Sequence, residues 1–76
     1  MSISLAAIER YREATVRSVG GDRSFRRRIM EMGLLPGTTV WVTNTAPIGG
    51  PMQIALRDFR LSIRRSEAEF IEVDPA

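Results

Sequence analysis

A small β-barrel with one short helix after its first strand is the fold class this sequence predicts, and three observations predict it. A basic amphipathic stretch, FRRRIMEM, runs into the helix-stop and turn signal GLLPG. Segments follow in which apolar and polar residues alternate, the period of a strand buried on one face. The 76 residues are 43% hydrophobic, which suits one compact domain over 1–76 with a single core. Within it, residues 1–12 read as an amino-terminal arm and 13–74 as a mainly β barrel of about five strands.

In the arm, Ser4 is placed to cap a short helical stretch, LAAIERY, with Leu5 and Ile8 on one face. A first strand over about Ala14 to Val19 draws β-branched character from Thr15, Val16 and Val19. Gly20 and Gly21 break it, and Asp22 is a natural helix N-cap. Phe25, Ile29 and Met32 recur at i, i+4 and i+7, so the spacing turns all three toward the core over about three turns. A step of about 100° per residue puts Arg23, Arg26, Arg27 and Met30 on the opposite side, with Arg28 at the boundary.

Gly33 suits the left-handed position past the helix end, Leu34 folds back onto the last turn, and Pro36 prevents continuation. Pro36-Gly37 fits the centre of a type II turn, which makes Gly33, Pro36 and Gly37 critical to the fold. In TTVWVTN, Val40 and Val42 oppose Thr39, Trp41 and Thr43; in MQIAL, Met52, Ile54 and Leu56 oppose Gln53, Ala55 and Arg57. Phe59, Leu61 and Ile63 likewise oppose Arg60, Ser62 and Arg64. APIGGP is a loop, Ser66 starts a single turn, SEAE, and Phe70, Ile71 and Val73 supply a closing strand. Helical spacing assigns Phe25 to the core and strand alternation assigns Phe59, and Phe70 is counted with them.

Composition excludes several classes of function. There is no cysteine and no histidine, so disulfides, thiolate metal sites, imidazole ligands and the usual general base near neutral pH are all missing. The carboxylates are scattered rather than clustered at ligand spacing. No catalytic, cofactor or metal residues are assigned, and an enzyme reading has no constellation behind it. No apolar run is long enough to span a bilayer, and the amino terminus lacks a secretory pattern; a soluble, cytoplasmic protein is expected. All eleven basic residues are Arg, with a net charge of +2. That usage fits a recognition surface or a GC-rich genome.

The stretches GGDRSFRRRIMEMGLLPGTTV and APIGGPMQIALRDFRLSIRRSEAEFIEV cover most of the chain after Ala14. They resemble the FeoA family, the small ferrous iron transport protein A of bacteria and its domain relatives in metal-dependent repressors. The most specific pieces are MGLLPGT, and APIGGP followed by Ile54, Leu56, Phe59, Leu61 and Arg64-Arg65-Ser66-Glu67-Ala68. Arg12 and Glu13 stand where the family commonly has a Pro-Gly or Gly-containing turn. The resemblance implies an SH3-like barrel. It also implies a non-enzymatic accessory role in ferrous iron uptake, docked on the cytoplasmic GTP-binding domain of the membrane transporter FeoB and held near the inner membrane by that partner. Gly20-Gly21 and Gly49-Gly50 lack the GK[ST] of a P-loop, so any nucleotide would be the partner's. The family carries a transition-metal label, but a chain without His or Cys is a poor iron carrier.

Three surfaces are candidates for docking. Trp41 falls on the outer face by alternation and is either a binding anchor or covered by the arm or the APIGGP loop. Pro47, Ile48 and Pro51 form a groove wall or serve turn chemistry alone. Arg23, Arg26, Arg27 and Met30 form a mixed basic and apolar patch suited to an acidic helix or switch segment, or a solvated face. A small barrel that binds nucleic acid or a proline-rich peptide through Arg is the alternative, opposed by the modest charge and the few free aromatics. An exposed strand edge also allows self-association.

Overall fold

Among the described residues the chain forms six antiparallel strands, β1 (Ile3–Ser4), β2 (Ala14–Val19), β3 (Thr39–Thr45), β4 (Pro51–Ala55), β5 (Arg60–Arg64) and β6 (Ile71–Pro75), and the longer ones follow the β-branched and apolar alternation. A 3₁₀ turn (Leu5–Ala7), α1 (Arg23–Glu31) and α2 (Arg65–Ala68) lie between them. The structure, a computed structural model, describes residues 2–45 and 50–76. Pro47 and Ile48 lie outside the described residues.

The strands hydrogen-bond in the order β1-β6-β2-β3-β4-β5. Nearly equal extents, 28 × 26 × 25 Å, fit a curled sheet rather than a flat one, which would be about 10 Å thick. Inside it Val16, Val40, Val42, Met52, Ile54, Ile71 and Val73 are fully buried, with Leu5, Ile29 and Leu34 from the connections. Five of the strands fall where the alternation predicts them. The sixth, β1, is two residues of the amino-terminal arm paired with Val73 and Glu72 of β6, too short to show a period. Ser4 caps the 3₁₀ turn by accepting from the Ala6 N–H at 3.0 Å, and Leu5 and Ile8 are both buried.

A register shift opposite β6 at Val16/Ser18 explains a departure from strict alternation. Val16 and Val19, three apart, would face opposite ways in a regular strand; the bulge turns both inward. A second shift falls in β3 against β4 between Val42 and Asn44.

Helix α1 begins and ends by local chemistry. Asp22 Oδ1 accepts from the Phe25 N–H at 2.8 Å, satisfying one of the unpaired donors of the first turn. At the other end Gly33 has φ +110°. The Leu34 N–H donates to the Ile29 carbonyl at 3.3 Å and the Gly33 N–H to that of Met30 at 3.0 Å, the pair of bonds of a Schellman stop. A type II turn follows, with Thr38 N–H on the Leu35 carbonyl at 2.9 Å and Gly37 at φ +95°. Two 2.8 Å bonds, Gly37 N–H to the Val16 carbonyl and Val16 N–H to that of Thr38, fasten this turn to β2.

The aromatic residues depart from expectation. Phe59 and Phe70 are 48% and 53% exposed, and Phe25 is half-buried. Phe59 precedes β5 in the turn, where the strand's alternation does not yet apply, and its Cζ would lie 2.9 Å from a Cβ on Gly33. Phe70 precedes Ile71 and so faces away from the core; its ring meets Phe25 edge-on at 5.6 Å. Ala55, assigned to the wet face, is buried because Trp41 is its cross-strand partner.

Two substitutions separate strain from crowding. Nothing lies within 4 Å of a Cβ built on Gly37, so Gly37→Ala should cost only its left-handed backbone, about 1–2 kcal/mol in urea denaturation. Gly33→Val should cost more, since it adds a branched side chain against Phe59 to the same backbone penalty.

Candidate docking surface

The nine-residue α1 presents four arginines with four different surroundings. Arg28 ion-pairs with Glu67 and places its Cζ 5.7 Å from the Phe25 ring centre, so it belongs to the packing against α2. Arg26 donates from Nε to the Val19 carbonyl at 3.0 Å, which ties it to the end of β2. Arg27 lies 3.8 Å from Glu31, both side chains more than 70% exposed, a pair worth at most a few tenths of a kcal/mol. Arg23 makes no ion pair or side-chain hydrogen bond among the described residues.

Arg23, Arg26, Arg27 and Met30 line one shallow groove, and Glu31 and Leu35 complete it. Four of the residues picked out by helical phase are therefore brought together. Met30 differs from expectation: it is half-buried and packs on the core, so it forms the groove's floor rather than an outer edge. Leu35, 46% exposed, went unrecognised as a site residue. Its signal was its place before Pro36, one step past a leucine that folds inward.

Trp41 stands apart. It is half-buried across Ala55 and lines a separate depression with Leu56, Arg57, Phe59 and Arg60. Pro51 is exposed at the start of β4. Tyr11 is 68% exposed yet holds φ +67°, in a turn closed by Arg12 N–H on the Glu9 carbonyl at 3.2 Å and anchored by its own N–H on the Val42 carbonyl at 2.7 Å. The position that asks for glycine is thus Tyr11, one residue before the Arg12-Glu13 pair.

Glu67 joins the two helices electrostatically. Its Oε1 accepts from the Arg64 N–H at 2.9 Å and Oε2 faces Arg28. The Arg64 backbone bond, supported by Arg28 and opposed by burial, holds its carboxyl below the ordinary value of 4.5. No three metal-ligating side chains cluster among the described residues, and no helix among them is long and apolar enough to cross a membrane.

A family model described as the FeoA domain matches residues 3–75. The chain is 39% identical over 62 residues to an Fe(2+) transport protein A/Fe(2+) transporter FeoB fusion protein of Porphyromonas gingivalis, covering 82% of this chain but 7% of the fusion. Among solved structures, a FeoA-like protein from Clostridium acetobutylicum is 35% identical, with a TM-score of 0.86 over 97% of this chain and 86% of that one. Stenotrophomonas maltophilia FeoA, complexed with zinc and described as a prokaryotic SH3 domain protein, is 28% identical with a TM-score of 0.81 over 95% and 89%. The mainly β, SH3-like fold class is thereby established.

Two measurements check the local chemistry. Tyr11→Gly should raise stability by up to about 1 kcal/mol in urea denaturation, because relief of left-handed strain exceeds the entropy that glycine adds to the unfolded chain. For Glu67 the folded carboxyl titrates below the unfolded one, so its contribution is complete above about pH 4.5 and is lost as pH falls through the lower folded value. Thermal melts across that window should show a shallower acid loss for Glu67→Gln than for the parent.

Proposed function

The chain belongs to the FeoA family, matched over residues 3–75, and from that premise we propose that it is a non-enzymatic accessory factor of ferrous iron uptake that docks on the cytoplasmic GTP-binding domain of a FeoB-type transporter. The observation that carries this reading is the fusion protein of Porphyromonas gingivalis, in which a relative of this chain and the transporter are one polypeptide. Covalent linkage keeps two modules at high effective concentration, which is useful when their work requires contact.

The chemistry of the surface agrees. The groove of α1 and the depression at Trp41 offer apolar area bordered by guanidinium groups, with one carboxylate each, Glu31 and Asp58, a composition suited to protein contact. Neither holds a nucleophile paired with a base. The exposed rings of Phe59 and Phe70 are committed to Gly33 and Phe25, so they do not form a free stacking platform for bases. The protein acts as a regulator or assembly factor through its surface.

The test is calorimetric titration of the protein into the full-length transporter of the same organism in lipid nanodiscs, in GDP and GTP-analogue states, with the isolated GTP-binding domain alongside. Saturable binding to both preparations in at least one nucleotide state is expected. Absence of binding to the folded, nucleotide-loaded transporter in both states overturns the proposal.

A further inference from the structure

We infer that the groove on the outer side of α1 receives an acidic amphipathic helix of a partner protein, with one aliphatic side chain seated between Met30 and Leu35 and carboxylates against Arg23 and Arg27. The inference deepens the docking reading above and rests on it for the identity of the partner. The chemistry of the occupant comes from the groove itself.

Charge complementarity is the first argument. Three arginines and one glutamate line the groove, a local charge of +2 that equals the net charge of the entire chain; all other residues sum to zero. The groove therefore carries a positive local charge, which can steer an acidic partner. An amphipathic carboxylate-bearing helix fits better than a polyphosphate, because Met30 and Leu35 give an aliphatic side chain a seat and give a phosphate backbone nothing to bind.

Second, although Asp22 caps α1, the placement of Arg23 and Arg27 works against the helix. Arg23 is the first helical residue, and the first turn contains no acidic side chain, so its charge sits at the positive end of the helix dipole. Arg27 stands four residues on, a like charge on the same face. The Arg27–Glu31 contact is long and exposed, and Arg23 has no partner among the described residues. The groove thus holds two guanidinium groups that no strong contact within the described chain uses, while Arg26 and Arg28 are bound to the fold. Leu35 adds an aliphatic side chain left nearly half in water beside them.

The probe is a stapled helical peptide of about sixteen residues, with leucines at i, i+3 and i+7 and glutamates elsewhere, titrated into ¹⁵N-labelled protein. Saturating shift changes confined to residues 23–35 are expected. Arg23→Glu with Arg27→Glu should weaken binding at least about tenfold, Leu35→Ser several-fold, and a lysine-substituted peptide should not bind. Arg23→Glu alone should weaken binding while raising the melting temperature, an opposition that a purely structural arginine would not produce. Shift changes centred on Trp41 and Phe59, or none at millimolar peptide, overturn the inference. So does equal binding of a single-stranded oligonucleotide that is indifferent to Leu35→Ser. Against the full-length transporter, groove variants that bind like the parent while Trp41→Ala does not would sink the inference and leave docking intact. Peptide bound in the groove, with no transporter binding by the parent protein, would uphold the inference and sink the docking reading.

Discussion

The reversal at Gly33–Thr38 is the constraint on which the rest of the molecule depends. A Schellman stop and a type II turn follow one another without a spacer, each with a glycine at positive φ. Together they turn the chain from helix to strand within a few residues and fasten the turn to the backbone of β2 on both sides. The same geometry separates two adjacent leucines: Leu34 is fully buried and plugs the core under α1, and Leu35 is left 46% exposed at the end of the helix groove. Phe59 then closes over Gly33, where any side chain would meet its ring. The seating of the helix and the exposed end of its groove thus follow from one local motif.

Once α1 is seated, its arginines acquire roles that their sequence does not distinguish. Arg28 is close enough to α2 to share Glu67 and the Phe25 face, and Arg26 reaches the last carbonyl of β2. Both strengthen the join between helix and sheet. Arg23 and Arg27 point away from every strong partner among the described residues, and exposed pairs contribute little in water. The chain belongs to a family in which one relative is fused to the transporter.

What the sequence by itself determined is everything governed by nearest neighbours along the chain. The Asp22 cap, the glycine stop at Gly33, the Pro36-Gly37 turn, the inward Ile29 and the alternation of the longer strands were all legible, because each depends on bonds spanning a few residues. Helical phase put Arg23, Arg26, Arg27 and Met30 on one side; they line one groove, although Met30 turns inward to pack on the core. Tertiary structure decided what depends on neighbours across strands or between helices. Ala55 is dry because Trp41 lies opposite it. Val16 and Val19 share a face because β2 bulges against β6. Phe59 and Phe70 cap apolar gaps from outside, and β1 exists only because β6 is there to pair with it. Local rules set a backbone's direction and period, but which face is covered is fixed by what the fold brings across from it.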